Sequence, residues 1–282
     1  MDQIPIIDID KLYIEDKIGE GMSGYVFEGL YDNKDIICKS FNINKFSNLE
    51  SLKDTFEEEI LNYNQTQNIQ SIVQMIGYYI NKEYSQYYII LLDNHANSDL
   101  YKYIKHFQIN QKKDPFQFSL QSQLKISLNI SLAILNLHNK NFVHCDLKPD
   151  NIIIDQYNNI TIIDLGALIK LDRDYIYSEY ILGTPGYMGK EQHVGHIGKS
   201  CDIYSLGVTL LELFQGIIPY NNEKQYRKEI LQQCKLLKQE YPHIEKIIKS
   251  CIHSCEYKRP KIKTIVKNLQ NIQLFKNNLI YT

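Results

Sequence analysis

Arginine occurs only three times in this 282-residue sequence, as Arg173, Arg227 and Arg259. Converging guanidinium groups are what bind a phosphate strongly, and three arginines leave little from which to build such a cluster. A basic excess is also missing. Lys plus Arg total 31 against 33 Asp plus Glu, a formal net charge of -2, which argues against a nucleic-acid or anionic-membrane partner. No apolar run approaches the ~20 residues needed to span a bilayer; the longest, Tyr87 to Leu92, has the length of a strand. The six cysteines at 38, 145, 201, 234, 251 and 255 form no disulfide framework, and Met1-Asp2-Gln3-Ile4-Pro5 lacks the basic and apolar parts of a secretion signal. The expected setting is a reducing one, cytoplasmic or nuclear. Cys251, His253 and Cys255 invite a zinc reading, but they fall in a stretch expected to be helical and are read as ordinary positions.

Alternation in Tyr13 to Glu20, Tyr25 to Tyr31 and Asp35 to Phe41, punctuated by glycines and by Asp32-Asn33, predicts three antiparallel strands. Leu52, Phe56, Ile60 and Tyr63 then recur at helical spacing up to Gln65, with Lys53, Asp54, Glu57 and Glu58 on the outer face. Val73 to Tyr79 and Tyr87 to Leu92 supply two more strands. Beyond Asp93-Asn94-His95 the pattern turns mostly helical, with an uninterrupted helix from Ser119 through His138 and a strongly apolar one over Cys201 to Gln215. Ile152 to Ile154 and Ile160 to Ile163 form a short hairpin within that half.

Chemistry-bearing residues are strung along this frame. Gly19, Gly21 and Gly24 make a loop whose backbone can approach phosphates, and Lys39 lies on the third strand. His144-Cys145-Asp146-Leu147-Lys148-Pro149-Asp150-Asn151 precedes the hairpin; Asp164-Leu165-Gly166 and Gly183-Thr184-Pro185-Gly186-Tyr187-Met188 follow it. A phosphate loop, a cation, a base with one metal ligand, and a second metal ligand, in that order, are the parts that phosphoryl transfer needs. From about Leu12 to Leu274 the sequence resembles a eukaryotic-type serine/threonine protein kinase catalytic domain.

That resemblance implies an α+β, two-lobed fold: a small antiparallel sheet lobe with one helix, and a larger, mainly helical lobe. It divides the chain into an N-terminal extension (1–11) and a single kinase domain (12–282), with small lobe 12–92, hinge 93–97 and large lobe 98–282. It implies ATP and Mg²⁺ as cofactors and proteins bearing Ser or Thr as substrates. Asp146 would be the base, Lys148 and Lys39 would act on the phosphates, and a glutamate would hold Lys39. Three consecutive glutamates compete for that place, and the family's pattern selects Glu59 over Glu57 and Glu58. Asn151 and Asp164 would ligate metal. Nucleotide contacts would come from Ile18, Gly19, Gly21, Gly24, Val26, Ile37, Lys39, Leu92, Asp93, His95, Asp99 and Ile153, with Leu92 as gatekeeper, and Thr184 would shape the substrate platform. Glu191 and Arg259 match an ion pair that anchors the activation segment, and Asp202 matches an aspartate that supports the catalytic loop. His144 is read as structural.

Three positions depart from the family's pattern. Cys145 stands where an arginine usually precedes the base, Gly189-Lys190 replaces Ala-Pro ahead of Glu191, and Ile37 replaces the alanine above the adenine. The second departure is expected to loosen the segment's C-terminal anchor, and the third to narrow the pocket. Two other readings stay open: a pseudokinase acting as a scaffold or binding module, and a small-molecule phosphotransferase. Lys39, Asp146, Asn151 and Asp164 weigh against the first, while Gly183 to Met188 and Lys258-Arg259-Pro260 weigh against the second. A regulatory partner chain is compatible with the sequence, which leaves the oligomeric state open.

Overall fold

The computed structural model describes residues 4–81, 86–92, 98–110 and 119–280. The chain divides into two compact units, Met1–His95 and Ala96–Thr282.

The first unit is a five-stranded antiparallel sheet with one long helix: β1 (Leu12–Glu20), β2 (Gly24–Tyr31), β3 (Lys34–Phe41), α1 (Leu49–Gln65), β4 (Met75–Asn81) and β5 (Gln86–Leu92). The strand order is β1-β2-β3-β5-β4. Asp32 and Asn33 both take positive φ, 51° and 60°, the geometry a two-residue hairpin loop requires between β2 and β3. One side of the sheet buries Ile36, Cys38 and Ile90 with Leu12 and Ile7. Ile7 belongs to that core because its N–H donates to the Tyr78 carbonyl at 2.8 Å. α1 begins three residues ahead of the expected start, since Asn48 and Ser51 form a reciprocal capping box. Its apolar face is the one the periodicity marks: Leu52, Phe56, Ile60 and Tyr63 are buried, and Phe56 meets Phe41 and Tyr87 edge-on at 5.1 and 5.2 Å.

The second unit holds six α-helices among the described residues. In chain order it contains β6 (Ser98–Asp99), α2 (Leu100–Asn110), α3 (Leu120–Asn139), β7 (Phe142–Val143), β8 (Ile152–Ile154), β9 (Ile160–Ile162), β10 (Ile169–Lys170), β11 (Tyr175–Tyr177), β12 (His196–Gly198), α4 (Lys199–Gln215), α5 (Glu223–Glu240), α6 (Pro242–Cys251) and α7 (Ile262–Ile280). Each of the two segments bearing the candidate chemistry lies between short strands. The loop 144–151 runs from β7 to β8, and 163–168 from β9 to β10, while β7 pairs with β10 and β8 with β9. α4 is buried on every side from Cys201 through Phe214, as a helix apolar all round should be. α6 ends at Cys251, so His253 and Cys255 lie in a turn rather than a helix; the His253 ring engages the Cys255 backbone.

Candidate active site

On the first unit, Lys39 and Glu59 form an ion pair, with Lys39 Nζ 2.5 Å from Glu59 Oε1. Strand and helix periodicity bring them together. Lys39 projects from β3, and Glu59 turns inward from α1 between Phe56 and Ile60, leaving Glu57 and Glu58 exposed. Glu59 is only 2% exposed, so breaking this pair would leave a carboxylate in a place that water hardly reaches.

The glycine loop between β1 and β2 is closed by a Gly21 N–H to Gly24 carbonyl bond of 2.9 Å. A Cβ on Gly24 would lie 1.8 Å from the Ser40 carbonyl oxygen, whereas one on Gly21 would meet nothing within 4 Å. Gly24 is therefore required for packing against β3, and the open space lies at Gly21. The loop is braced by charge that no motif announces. Lys45 donates to Glu20 and to the Gly21 carbonyl, both at 2.7 Å, and Lys17 donates to Glu20 at 2.8 Å. The two lysines hold the Glu20 carboxyl down to about 2.

Register corrects one assignment. On β3, Ile37 and Lys39 share a face because side chains alternate, and their partners on β5 are Leu91 and Ile89. Val26 lies opposite Lys39 on β2. Leu92 pairs instead with Ile36, on the other face, and is 40% exposed where Leu91 is 6%. The residue on the Lys39 face at the end of β5 is thus Leu91, not Leu92, the residue expected there from reading Asp93 as the family's hinge glutamate. Asp93 and His95 lie outside the described residues.

On the second unit, Asp146 sits in a knot of short bonds. Lys148 Nζ donates to its Oδ2 at 3.0 Å, the Thr184 hydroxyl to its Oδ1 at 2.6 Å, and Asn151 Nδ2 to its Oδ2 at 3.1 Å and its main-chain oxygen at 2.8 Å. Lys148 also reaches the Thr184 oxygen at 2.6 Å. Asp164 and Cys145 both have φ values in the left-handed region, 60° and 66°, which costs a non-glycine residue ~1 kcal/mol or more and persists only where the surroundings enforce it. Asp202, fully buried at the start of α4, enforces it for Cys145. Its carboxylate accepts from the N–H groups of His144 and Cys145 at 2.9 and 3.0 Å and lies 2.8 Å from His138 Nε2. Burial raises the pKa of Asp202, but the hydrogen bonds and charge around it outweigh that and leave it lowered. His144 is buried; its Nδ1 accepts from the Asp146 N–H at 3.3 Å and its Nε2 faces the Ile163 carbonyl at 3.3 Å. Ile153 pairs with Asp99, which caps α2 by accepting from the Lys102 N–H at 2.7 Å.

Glu191 and Arg259 form a bidentate pair, one of whose bonds measures 2.9 Å, and Arg259 also donates to the Ser200 and His253 carbonyls at 2.9 Å. The expected loosening by Gly189 is not seen: a Cβ there would lie 2.3 Å from a Glu191 oxygen, so the glycine makes room for the anchor. Two further groups escaped sequence reading. His138 lay within an apolar period, and Gln192, buried behind Cys145, belongs to no motif.

A protein kinase domain model matches residues 12–269. The chain belongs to the protein kinase domain family. Over 273 residues, 94% of this chain, it is 26% identical to a protein of Dictyostelium discoideum named a probable serine/threonine-protein kinase, of which it spans 20%. Another Dictyostelium discoideum relative, gdt2, likewise named a probable serine/threonine-protein kinase, is 27% identical over 294 residues, 98% of this chain and 17% of that protein. The serine/threonine-protein kinase MRCK gamma of Mus musculus is 32% identical over 145 residues, 49% of this chain and 9% of that protein. The chain therefore spans a fifth or less of the length of these relatives.

Proposed function

We propose that this domain transfers the γ-phosphoryl group of ATP to Ser and Thr hydroxyls of protein substrates, with Asp146 as the base and Mg²⁺ as the metal. The observation that carries the reading is the knot around Asp146, in which Lys148, Asn151 and Thr184 fix both carboxylate oxygens. A base must be oriented before it is useful. Asn151 and Thr184 set the plane of this carboxylate, and a substrate hydroxyl replacing the Thr184 contact would hand its proton to Oδ1. Lys148, bonded to Oδ2 and to the Thr184 oxygen, supplies positive charge beside the place where an incoming phosphoryl group accumulates negative charge. On the other unit, Glu59 keeps the Lys39 ammonium in one place, suited to the α and β phosphates.

The donor set fits Mg²⁺. Asn151 commits its amide nitrogen to Asp146, leaving its amide oxygen as the donor it can offer, and Asp164 brings a carboxylate; both are hard oxygen ligands. Among the described residues no group of three or more His, Cys, Asp or Glu could hold a metal unaided, which suits an ion that takes its remaining ligands from the nucleotide and water. Bound there, Mg²⁺ would neutralise phosphate charge.

The test is Asp146→Asn, which keeps the shape and most of the hydrogen bonds. A positioned base contributes ~10² to 10⁴ in rate, so kcat on a peptide substrate should fall by at least a hundredfold while ATP affinity stays within about threefold. Undiminished turnover by the variant sinks the assignment.

A further inference from the structure

Cys145 stands where an arginine would precede Asp146, so this activation segment is held without that cation. We propose that Gln192 is a positioning residue that ties the end of the activation segment to the catalytic loop, so that Thr184 is set against Asp146 without any phosphate on the segment. The inference deepens the kinase reading above and rests on it.

Gln192 is fully buried, and its Nε2 donates to two main-chain carbonyls, Cys145 and Leu182, each at 2.6 Å. Two carbonyl acceptors admit only the nitrogen of the amide, so its orientation is determined. Cys145 adjoins Asp146, and Leu182 lies two residues before Thr184, whose hydroxyl meets Asp146 at 2.6 Å. One side chain therefore joins the two strands of backbone that carry the base and its platform. Gly183 confirms how close that junction is: its φ is +109°, and a Cβ there would lie 2.6 Å from both the Cys145 oxygen and Gln192 Nε2. No bulkier residue fits between them. Gln192 is itself held, since it follows Glu191, which Arg259 grips.

Thr184 adds its own bonds to Asp146 and Lys148, but no arginine takes part. Arg173 lies beside Asp172, Arg227 donates to Glu223 and Arg259 is engaged with Glu191. Burial pushes the Cys145 thiol up, so it brings no charge of its own. The middle of the segment is secured separately, by the pairing of β11 with β12 and by a Ser178 N–H to Gly195 carbonyl bond of 2.8 Å. The stretch from Tyr180 to Thr184 is thus where the tether matters.

Gln192→Met keeps the length and removes the donor. Expected is a tenfold or greater fall in kcat/KM for a peptide substrate, with the KM for ATP within twofold, and amide hydrogen exchange at 182–184 accelerated at least tenfold while α4 keeps its protection. A purely structural glutamine would lower thermal stability and move all kinetic constants together. Kinetics and exchange both within twofold of wild type overturn the proposal. Should the variant not fold, wild-type protein gives the second reading: exchange over 178–184 before and after phosphatase treatment, with mass spectrometry confirming that phosphate is gone. Unchanged protection supports the tether, and tenfold loosening overturns it. A wild-type protein that transfers no phosphate yet shows the exchange difference on Gln192→Met removes the kinase reading and leaves the tether supported.

Discussion

Lys39 and Asp146 are held in place by different physics. Lys39 is placed by regular structure: β3 projects it, α1 turns Glu59 towards it, and an ion pair of 2.5 Å joins them. Asp146 stands on a loop, and no period fixes it. Its position depends on Asp202, which is 56 residues away and captures the backbone on its N-terminal side, and on Thr184 and Gln192, which arrive from the following segment. A group on a strand inherits its geometry from the sheet, whereas a group on a loop needs a shell of buried polar partners. Such a shell is rigid when complete and fails sharply when one member is lost.

The sharpest way to break this contrast is Asp202→Ala. It orphans the N–H groups of His144 and Cys145 and the His138 ring, all buried. Each unsatisfied buried group costs ~1 to 3 kcal/mol, so a loss of about 5 kcal/mol in a denaturant titration is expected, with loss of peptide phosphorylation. A loss below about 2 kcal/mol would mean that the loop does not depend on its shell.

Lys39→Met tests the other side. Removing one partner of a buried pair costs ~3 to 5 kcal/mol, reduced here because Lys39 keeps 12% of its side chain exposed; about 3 kcal/mol is expected. The double variant Lys39→Met/Glu59→Leu should recover most of that stability and none of the activity. A double variant no more stable than the single one would show that packing, and not the buried Glu59 carboxylate, sets the cost.

Leu91 and Leu92 separate the strand register from motif alignment. Leu91→Ala empties a buried position on the Lys39 face, at a cost of ~2 to 3 kcal/mol, and should admit bulkier nucleotide analogues. Leu92→Ala, on a half-exposed side chain, should cost ~0.5 kcal/mol or less and leave analogue affinity unchanged. The reverse pattern would restore Leu92 as gatekeeper.

The same contrast governs what could be read from the sequence. The sheet, α1, α3, α4 and the β8–β9 hairpin were legible because each buries one face or all of itself, and burial writes a period into the residues. β8 and β9 are only three residues each but stand out as isoleucine-rich runs either side of a turn, whereas the equally short β6, β7, β10, β11 and β12 carry no such run and exist only through their partners. β4 begins at Met75, later than its apolar run suggests, because Val73 is buried outside the ladder. In the site, Asp146, Lys148, Asn151 and Thr184 were legible as a motif, and the structure brings them together. Gln192 and His138 were not, since a long-range hydrogen bond leaves no trace in local spacing. Leu92 was misplaced for a related reason: the end of β5 offers two adjacent leucines, and only the pairing with β3 decides which one faces Lys39.

A last expected effect is a slope, and it probes another buried carboxylate of α4. Glu212 accepts from the Tyr187 hydroxyl at 2.7 Å and the Ile218 N–H at 3.0 Å, yet its burial outweighs both and raises its pKa from 4.5 to about 7. The folded protein thus keeps a proton that the unfolded chain releases near 4.5. Its contribution to stability is full below pH 4.5, declines by about 1.4 kcal/mol per pH unit as pH rises, and is lost by about pH 7. Asp202, whose pKa is lowered, works the other way in a separate window, costing stability only as pH falls below 3.8. Glu212→Gln keeps an acceptor for Tyr187 or Ile218 and removes the titration. Urea midpoints measured between pH 5 and 7 should fall with pH in the wild type and be nearly level in the variant. Parallel slopes in the two proteins would mean that Glu212 is ionised in the fold, with the Tyr187 and Ile218 bonds strong enough to hold its charge.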